Sequence, residues 1–325
     1  MDYINLGRSG LRVSRIALGC MSFGVAKRRW FLDEAQSRPF FRRAIERGIN
    51  FFDTANMYGD GASEEVTGRA LREYGKRDEI VLATKLYFPM HGGANAQGLS
   101  RKSVLTEIDA SLRRLGTDYI DLYQIHRFDE TTPVEETIDA LHDTVRAGKV
   151  RYLGASSMQS WRFAKMLYVA DQQRAPRFVS MQPHYNLLYR EEEREMLGLC
   201  RDEGIGVLPW SPLARGRLAR PWATQSSARS GDDPWGDGLY AATEASDRKI
   251  VDRVGELAAA RGRSHAQIAL AWLLHQQDVT APIVGVTKIE QLDEAIDALA
   301  VKLSTDEIAS LEAPYTPRAV VGFGR

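Results

Sequence analysis

With 325 residues, 44% of them hydrophobic and 26% charged, the chain has the make-up of a soluble globular protein with a substantial core, which excludes disorder as its default state. Its 43 basic and 43 acidic residues cancel, and no long block of one sign occurs, so neither a nucleic-acid nor an anionic-membrane partner is expected. Two cysteines, Cys20 and Cys200, supply neither a disulfide framework nor a zinc cluster; together with an N-terminus lacking a signal-peptide layout, they predict a cytoplasmic protein without a membrane span.

In chain order, Tyr3 to Leu6 and Leu11 to Ser14 flank the turn-like Arg8-Ser9-Gly10 and predict an N-terminal β-hairpin plugging a barrel bottom. Eight short apolar runs follow, alternating with amphipathic stretches: Arg15 to Gly19, Gly48 to Asp53, Glu79 to Lys85, Tyr119 to His126, Val150 to Ser156, Phe178 to Gln182, Ile205 to Trp210 and Ala281 to Gly285. Alternation of this kind is the sequence form of repeated βα units. Eight units predict an α/β fold, a single (β/α)8 TIM barrel in one domain spanning 1–325.

Helix boundaries are read from caps: Ser37 before a helix stopped at Gly48, Ser63 before Glu64 and Glu65, and Thr132-Pro133 with Glu135 as a capping box with proline at N1. Ser264 with Gln267 and Thr287 with Glu290 repeat the box, and Gly116 and Gly148 fit the C′ position. Residues 214–246 have no clear period and predict a long loop after strand 7, of the kind that forms a lid or is disordered.

Function in such a barrel is expected at the C-terminal ends of the strands. Asp53 ends strand two, Tyr58 lies just beyond it, Lys85 ends strand three and His126 ends strand four. Singly, each has a bland reading: an aspartate capping a turn, or a solvated lysine or histidine. Together they form a proton-transfer set. A phenol with an ordinary pKa of about 10 is a weak acid near neutrality. A lysine ammonium about 4 Å away favours the phenolate by roughly 4 kcal/mol at an effective dielectric of about 20. Asp53 would hold Lys85 charged, and His126 would donate to a carbonyl oxygen.

Such a set needs a hydride source, and a nicotinamide is the simplest. No Gly-x-Gly-x-x-Gly opens a helix, so a Rossmann site is not expected. The other strand ends offer ligands instead: Ser156 and Ser157, Gln182 for a carboxamide, Trp210 to stack on the ring, and Ser211 to Arg217, including Leu213, Gly216 and Arg217, for pyrophosphate. Gly285 to Lys288 follow strand eight, where Thr287 at a helix start and Lys288 suit a ribose phosphate and point to NADPH over NADH. The competing reading makes Thr287 a cap and Lys288 a solvated helix residue.

These segments resemble the aldo-keto reductase superfamily over essentially the full length. Gly48-Ile-Asn-Phe-Phe-Asp53-Thr-Ala-Asn-Met-Tyr58-Gly, Val81-Leu-Ala-Thr-Lys85 and Asp118-Tyr-Ile-Asp-Leu-Tyr-Gln-Ile-His126 are similar to the three signatures bearing its catalytic tetrad. The resemblance implies NADPH/NADP+ as cofactor and a small-molecule carbonyl substrate, and it adds Asp53, Met21, Gln291 and Glu294 to the cofactor contacts. His184-Tyr-Asn-Leu-Leu-Tyr-Arg, Ser211 through Trp222 and Pro314 to Phe323 are similar to a bacterial YajO-like subgroup. The chain has Ser156-Ser157 where the family often has Ser-Asn, and no basic residue at Gln291, so a 2′-phosphate would rest on Lys288 and Arg217.

Trp30, Tyr87, Phe88 and Phe128 lie on loops at the reactive face and predict either an apolar substrate wall or simple loop core. Two rival readings are a low-turnover, nicotinamide-binding redox sensor and a metal-dependent barrel hydrolase. The six histidines include no pair at metalloprotease spacing, and no metal is expected. The sequence specifies no oligomeric state.

Overall fold

The computed structural model describes residues 1–25, 28–225 and 231–323. Eight parallel strands form one sheet: β1 Ala17–Gly19, β2 Phe51–Asp53, β3 Val81–Leu86, β4 Ile120–Ile125, β5 Val150–Ser156, β6 Phe178–Gln182, β7 Gly206–Val207 and β8 Ile283–Val284. Neighbours follow chain order from β1 to β7, and β8 lies beside β1 with Ile283 opposite Ala17. The outer strands are joined as well: Thr280 N donates to Val207 O and Ile283 N to Pro209 O, both at 2.9 Å, so the sheet curls back on itself. β7 and β8 are shorter than their apolar runs because Pro209 and Pro282 have no N–H to give a ladder.

Before β1, Tyr3–Asn5 pairs antiparallel with Arg12–Ser14. Leu6 and Val13 from this hairpin join Ala17, Phe51, Val81, Ala83, Leu122, Leu208 and Ile283 in an apolar cluster inside the sheet. Side chains alternate faces along a strand. The inward face that buries Phe51 therefore carries Asp53, Val81 and Ala83 lead to Lys85, Leu122 leads to Gln124 and His126, and Leu208 leads to Trp210. Hydrocarbon thus fills the N-terminal half of the interior, and polar groups appear at the C-terminal ends. The outward faces, with Phe52, Leu82 and Tyr123, pack against helices α1 (Glu34–Glu46), α2 (Ala62–Tyr74), α3 (Arg101–Leu115) and α4 (Val134–Arg146) through Phe41, Val66, Ile108 and Ile138.

Several caps differ from the sequence expectation. Ser37 lies inside α1, whose cap is Asp33: its carboxylate accepts from Gln36 N (2.8 Å), while Gln36 Oε1 accepts from Asp33 N (3.1 Å). Ser63 sits within the first turn of α2 and donates to Cys20 O (2.7 Å), tying the helix to the end of β1. Pro133 is itself the cap residue of α4, and Thr132 donates to Asp129 instead. After β8 the reciprocal residue is Gln291, not Glu290: its Oε1 accepts from Thr287 N (3.0 Å) and Lys288 N (3.2 Å), and the helix is Ile289–Asp297. The Ser264–Gln267 box forms, and Gly116 and Gly148 are left-handed at φ 62° and 73°.

The segment expected as a loop after strand 7 contains short 3-10 turns and a helix, Pro234–Tyr240, capped by the Asp233 side chain with Pro234 in its first turn. Leu218 and Tyr240 from it are fully buried. Part of the expected lid, residues 226–230, lies outside the described residues.

One buried acid has a consequence for stability. Glu192 is 4% exposed, and its Oε1 is sealed without a partner. Burial, and then neighbouring Glu191, push its pKa up from 4.5 to about 8. The stabilisation from keeping it protonated is complete below about 4.5 and is lost as pH rises through about 8. Glu192→Gln should therefore raise the melting temperature at pH 9 by about 5 °C or more and at pH 5 by much less. Equal shifts at both pH values in thermal melts would contradict this.

Candidate active site

Lys85 lies at the end of β3, opposite Gln124 of β4, while Asp53 ends β2 opposite Ala83. The Lys85 ammonium is fully buried and donates to Asp53 Oδ1 at 2.5 Å and to Thr54 O at 2.9 Å. The other carboxylate oxygen, Oδ2, accepts from Gln124 Nε2 and Gln182 Nε2, each at 3.0 Å, and Gln182 Nε2 also reaches Gln124 Oε1 at 3.1 Å. The ion pair is thus desolvated yet saturated with hydrogen bonds. Burial works against the Lys85 charge, but Asp53 and then Tyr58 outweigh it, and its pKa lies above the usual lysine value.

Tyr58 enters from the turn after β2. Asn56 N donates to Lys85 O (3.1 Å), and Asn56 Nδ2 donates to Glu107 Oε2 on α3 (2.9 Å), fixing that turn from both sides. Lys85 Nζ is 5.1 Å from the centre of the Tyr58 ring, and the His126 ring meets Tyr58 edge-on at 5.8 Å. Burial, then Lys85 and Arg127, push His126 well below the usual imidazole range, so its ring is neutral near pH 7. Its Nδ1 is buried without a partner. Asp53, Tyr58, Lys85 and His126 are therefore brought together.

Other predicted residues stand at or beyond the neighbouring strand ends. Ser156 donates to Gln182 O (2.8 Å), and Ser157, held at φ 48°, accepts from Trp210 Nε1 (3.0 Å). Trp210 stacks on His184 with centroids 4.2 Å apart, and His184 stacks on Tyr189 at 4.3 Å. Asn186 ties the stack to the loop after β7 by donating to Ser211 O at 2.9 Å. Ser211, Ala214, Arg215 and Gly216, around Leu213, all take left-handed φ values. Ala214 N and Gly216 N close tight turns onto Ser211 O and Leu213 O, both at 2.9 Å. Arg215 pairs with Asp233, and Arg217 lies 3.6 Å from Asp237.

Across the same end of the sheet, Gly285 faces open space where a Cβ would point, and Thr287 and Lys288 follow at the start of the last long helix. Gln291 caps that helix, while Glu294 on the helix and Met21 after β1 are half-buried. Of the expected substrate wall, Phe88 stands nearly perpendicular to His126 at 5.0 Å and Tyr87 packs on Phe88 at 5.2 Å. Trp30 instead packs on Phe31, and Phe128 lies beneath Arg162.

Gln124, Asn56, His184 and Asn186 lie within motifs quoted from the sequence but were given no role in the site. Gln124 had a usable signal, since it stands two residues before His126 and so shares its inward face. A recess of about 440 Å³ lined by Arg190, Glu193, Arg194, Glu312 and Tyr315 contains none of these residues, and its charges pair with one another. Among the described residues no helix is long and apolar enough to cross a membrane, and no three His, Cys, Asp or Glu side chains gather as a metal site.

Residues 15–315 match the profile of the Aldo/keto reductase family. The chain belongs to that family. It is 46% identical to a versiconal hemiacetal acetate reductase of Aspergillus parasiticus, with 98% of each chain covered. An aldo-keto reductase of Alternaria alternata, AFTS1, is 43% identical over 98% of this chain and 93% of its own. A Saccharomyces cerevisiae protein provisionally named aryl-alcohol dehydrogenase AAD16 is 41% identical over 97% of each. These relatives are fungal and support the family rather than the bacterial subgroup.

The Lys85–Asp53 pair sets a test of this aldo/keto reductase's stability. Lys85→Met strands a buried carboxylate and should cost about 3–5 kcal/mol of unfolding free energy, whereas adding Asp53→Asn should restore much of it. Urea unfolding of the two variants checks this, and a double variant no more stable than the single one would show that the pair is not coupled.

Proposed function

We propose that this aldo/keto reductase is an oxidoreductase that reduces aldehydes or ketones to alcohols with NADPH, Tyr58 serving as general acid. The observation that carries the reading is a buried, hydrogen-bonded Lys85 ammonium beside Tyr58, with neutral His126 on the other side. In one domain, three adjacent strand ends then surround a single position for a carbonyl oxygen.

The residues fit a dinucleotide. Trp210, backed by His184, offers a flat apolar face, and the turn from Ser211 to Gly216, left-handed at Ser211, Ala214, Arg215 and Gly216, would hold the pyrophosphate. Gly285 leaves room beside Thr287 and Lys288. In this reading Gln182, Ser156 and Ser157 hold the carboxamide, Met21 lies near the ring, and Lys288, Arg217, Gln291 and Glu294 serve the adenosine phosphate end. A reduced nicotinamide, when bound, supplies hydride to the carbonyl carbon.

The chain's own groups handle the proton. Asp53 keeps Lys85 cationic, Lys85 stabilises negative charge on the Tyr58 oxygen, and Tyr58 passes its proton to the oxygen of the reduced carbonyl. His126, neutral and flanked by Phe88, donates a hydrogen bond that orients that oxygen. Tyr87 and Phe88 supply apolar wall, consistent with relatives named for an aryl alcohol and for a hemiacetal acetate. The cytoplasm is the expected compartment.

Tyr58→Phe should lower kcat for 4-nitrobenzaldehyde by about 10²–10⁴-fold and leave NADPH affinity unchanged, measured by absorbance and by fluorescence titration. Unaltered turnover would remove Tyr58 from the mechanism. Gln182→Ala should mainly weaken NADPH binding; an unchanged dissociation constant would take it out of the cofactor site. Tight NADPH binding by the unmodified protein without turnover of any aldehyde would instead favour a redox sensor.

A further inference from the structure

Arg127, next to His126 at the end of β4, is only 8% exposed. Half-buried arginines elsewhere face acids: Arg318 pairs with Asp247, Arg215 with Asp233, and Arg190 with Glu193 and Glu312. Among the described residues Arg127 has no such partner. Its hydrogen bond runs from Nη1 to the carbonyl of His126 (2.6 Å), and its Nε is buried with no acceptor. The acids nearest in sequence are committed elsewhere. Asp129 accepts from Leu99 N, Thr131 and Thr132, and Glu130 pairs with Arg162 at 2.7 Å.

The guanidinium carbon lies 5.5 Å over the Phe88 ring, which stands nearly perpendicular to His126 with centroids 5.0 Å apart. It is also near enough to Tyr58 and Tyr87 to feel a phenolate formed at either. The cation therefore flanks the position assigned to the carbonyl, on the side of the apolar wall. A guanidinium taken from water and left with one backbone carbonyl is costly, and its planar fork matches a carboxylate.

We propose that Arg127 is an anion-recognising residue of the substrate subsite, so that the preferred substrates are aldehydes or ketones bearing a carboxylate away from the reacting carbon. This rests on the carbonyl-reducing reading of the same site. A neutral substrate of equal size leaves the guanidinium unpaired, and the site discriminates against it.

The test compares 4-carboxybenzaldehyde with 4-methylbenzaldehyde in the NADPH assay, using the unmodified enzyme, Arg127→Met and Arg127→Lys. The expected kcat/KM ratio favours the carboxylate by about 10–100-fold, chiefly through KM, as a charged hydrogen-bonded pair would give. Arg127→Met should bring the ratio to about one, and Arg127→Lys should retain part of it. The same ratio in unmodified and Arg127→Met enzyme overturns the proposal. Calorimetric titration with benzoate and with benzamide gives a readout independent of turnover: benzoate should bind the unmodified protein more tightly than Arg127→Met, and benzamide both alike. Should neither aldehyde be reduced, the carbonyl-reducing reading fails, while the titration still decides Arg127; equal benzoate binding by both proteins refutes it. Thermal melts separate a structural role, because Arg127→Met should be no less stable than the parent. A destabilised variant with an unchanged aldehyde ratio would make Arg127 a scaffold residue.

Discussion

A lysine ammonium sealed from water is tolerable only against a carboxylate whose remaining lone pairs are also satisfied. In this protein that constraint recruits four strands: Lys85 from β3, Asp53 from β2, Gln124 from β4 and Gln182 from β6. Within this network no member can turn without stranding another. Tyr58 and His126 are then held at the rim of an already ordered charge, through the Asn56 anchor on one side and the Leu86 carbonyl, which accepts from His126 N, on the other.

The fold was legible because its two periods are. Strands announced themselves as apolar runs of the right length, and their inward positions could be counted by twos from the apolar cluster to the polar ends. Side chains that contact partners across the sheet were harder to read. Gln124 gains its meaning from Asp53, and His184 from Trp210, partners far away in sequence. Caps were misplaced where several candidates stood together. Asp33 beat Ser37 for α1, and Gln291 displaced Glu290, because the choice depends on where the backbone first turns helical. The helix Pro234–Tyr240 was missed although Asp233-Pro234 is a sound start signal, since Gly236 and Gly238 argue locally against helix.

The aromatic stack shows how a polar ring can serve as packing. His184 is fully buried, and its imidazole is kept neutral, first by burial and then by Arg215 and Arg318. Neutral, it behaves as a flat plate between Tyr189 and Trp210, while its Nε2 meets the Tyr240 hydroxyl at 2.7 Å. One residue thereby joins the loop after β6, the end of β7 and the short helix beyond it, which together frame one flank of the site.

The seam where β8 meets β1 on one side and β7 on the other joins the latest strand of the chain to the earliest. During synthesis β1 to β7 can pair in order, but the seam stays open until the residues around Ile283 have emerged, and the loop closed there is the longest in the protein. Nascent chains therefore pass through a stage with two raw sheet borders, when hairpin residues Leu6 and Val13 already shield the hydrocarbon floor. Premature termination upstream of β8 would leave those borders permanently exposed and inclined to stick to other chains.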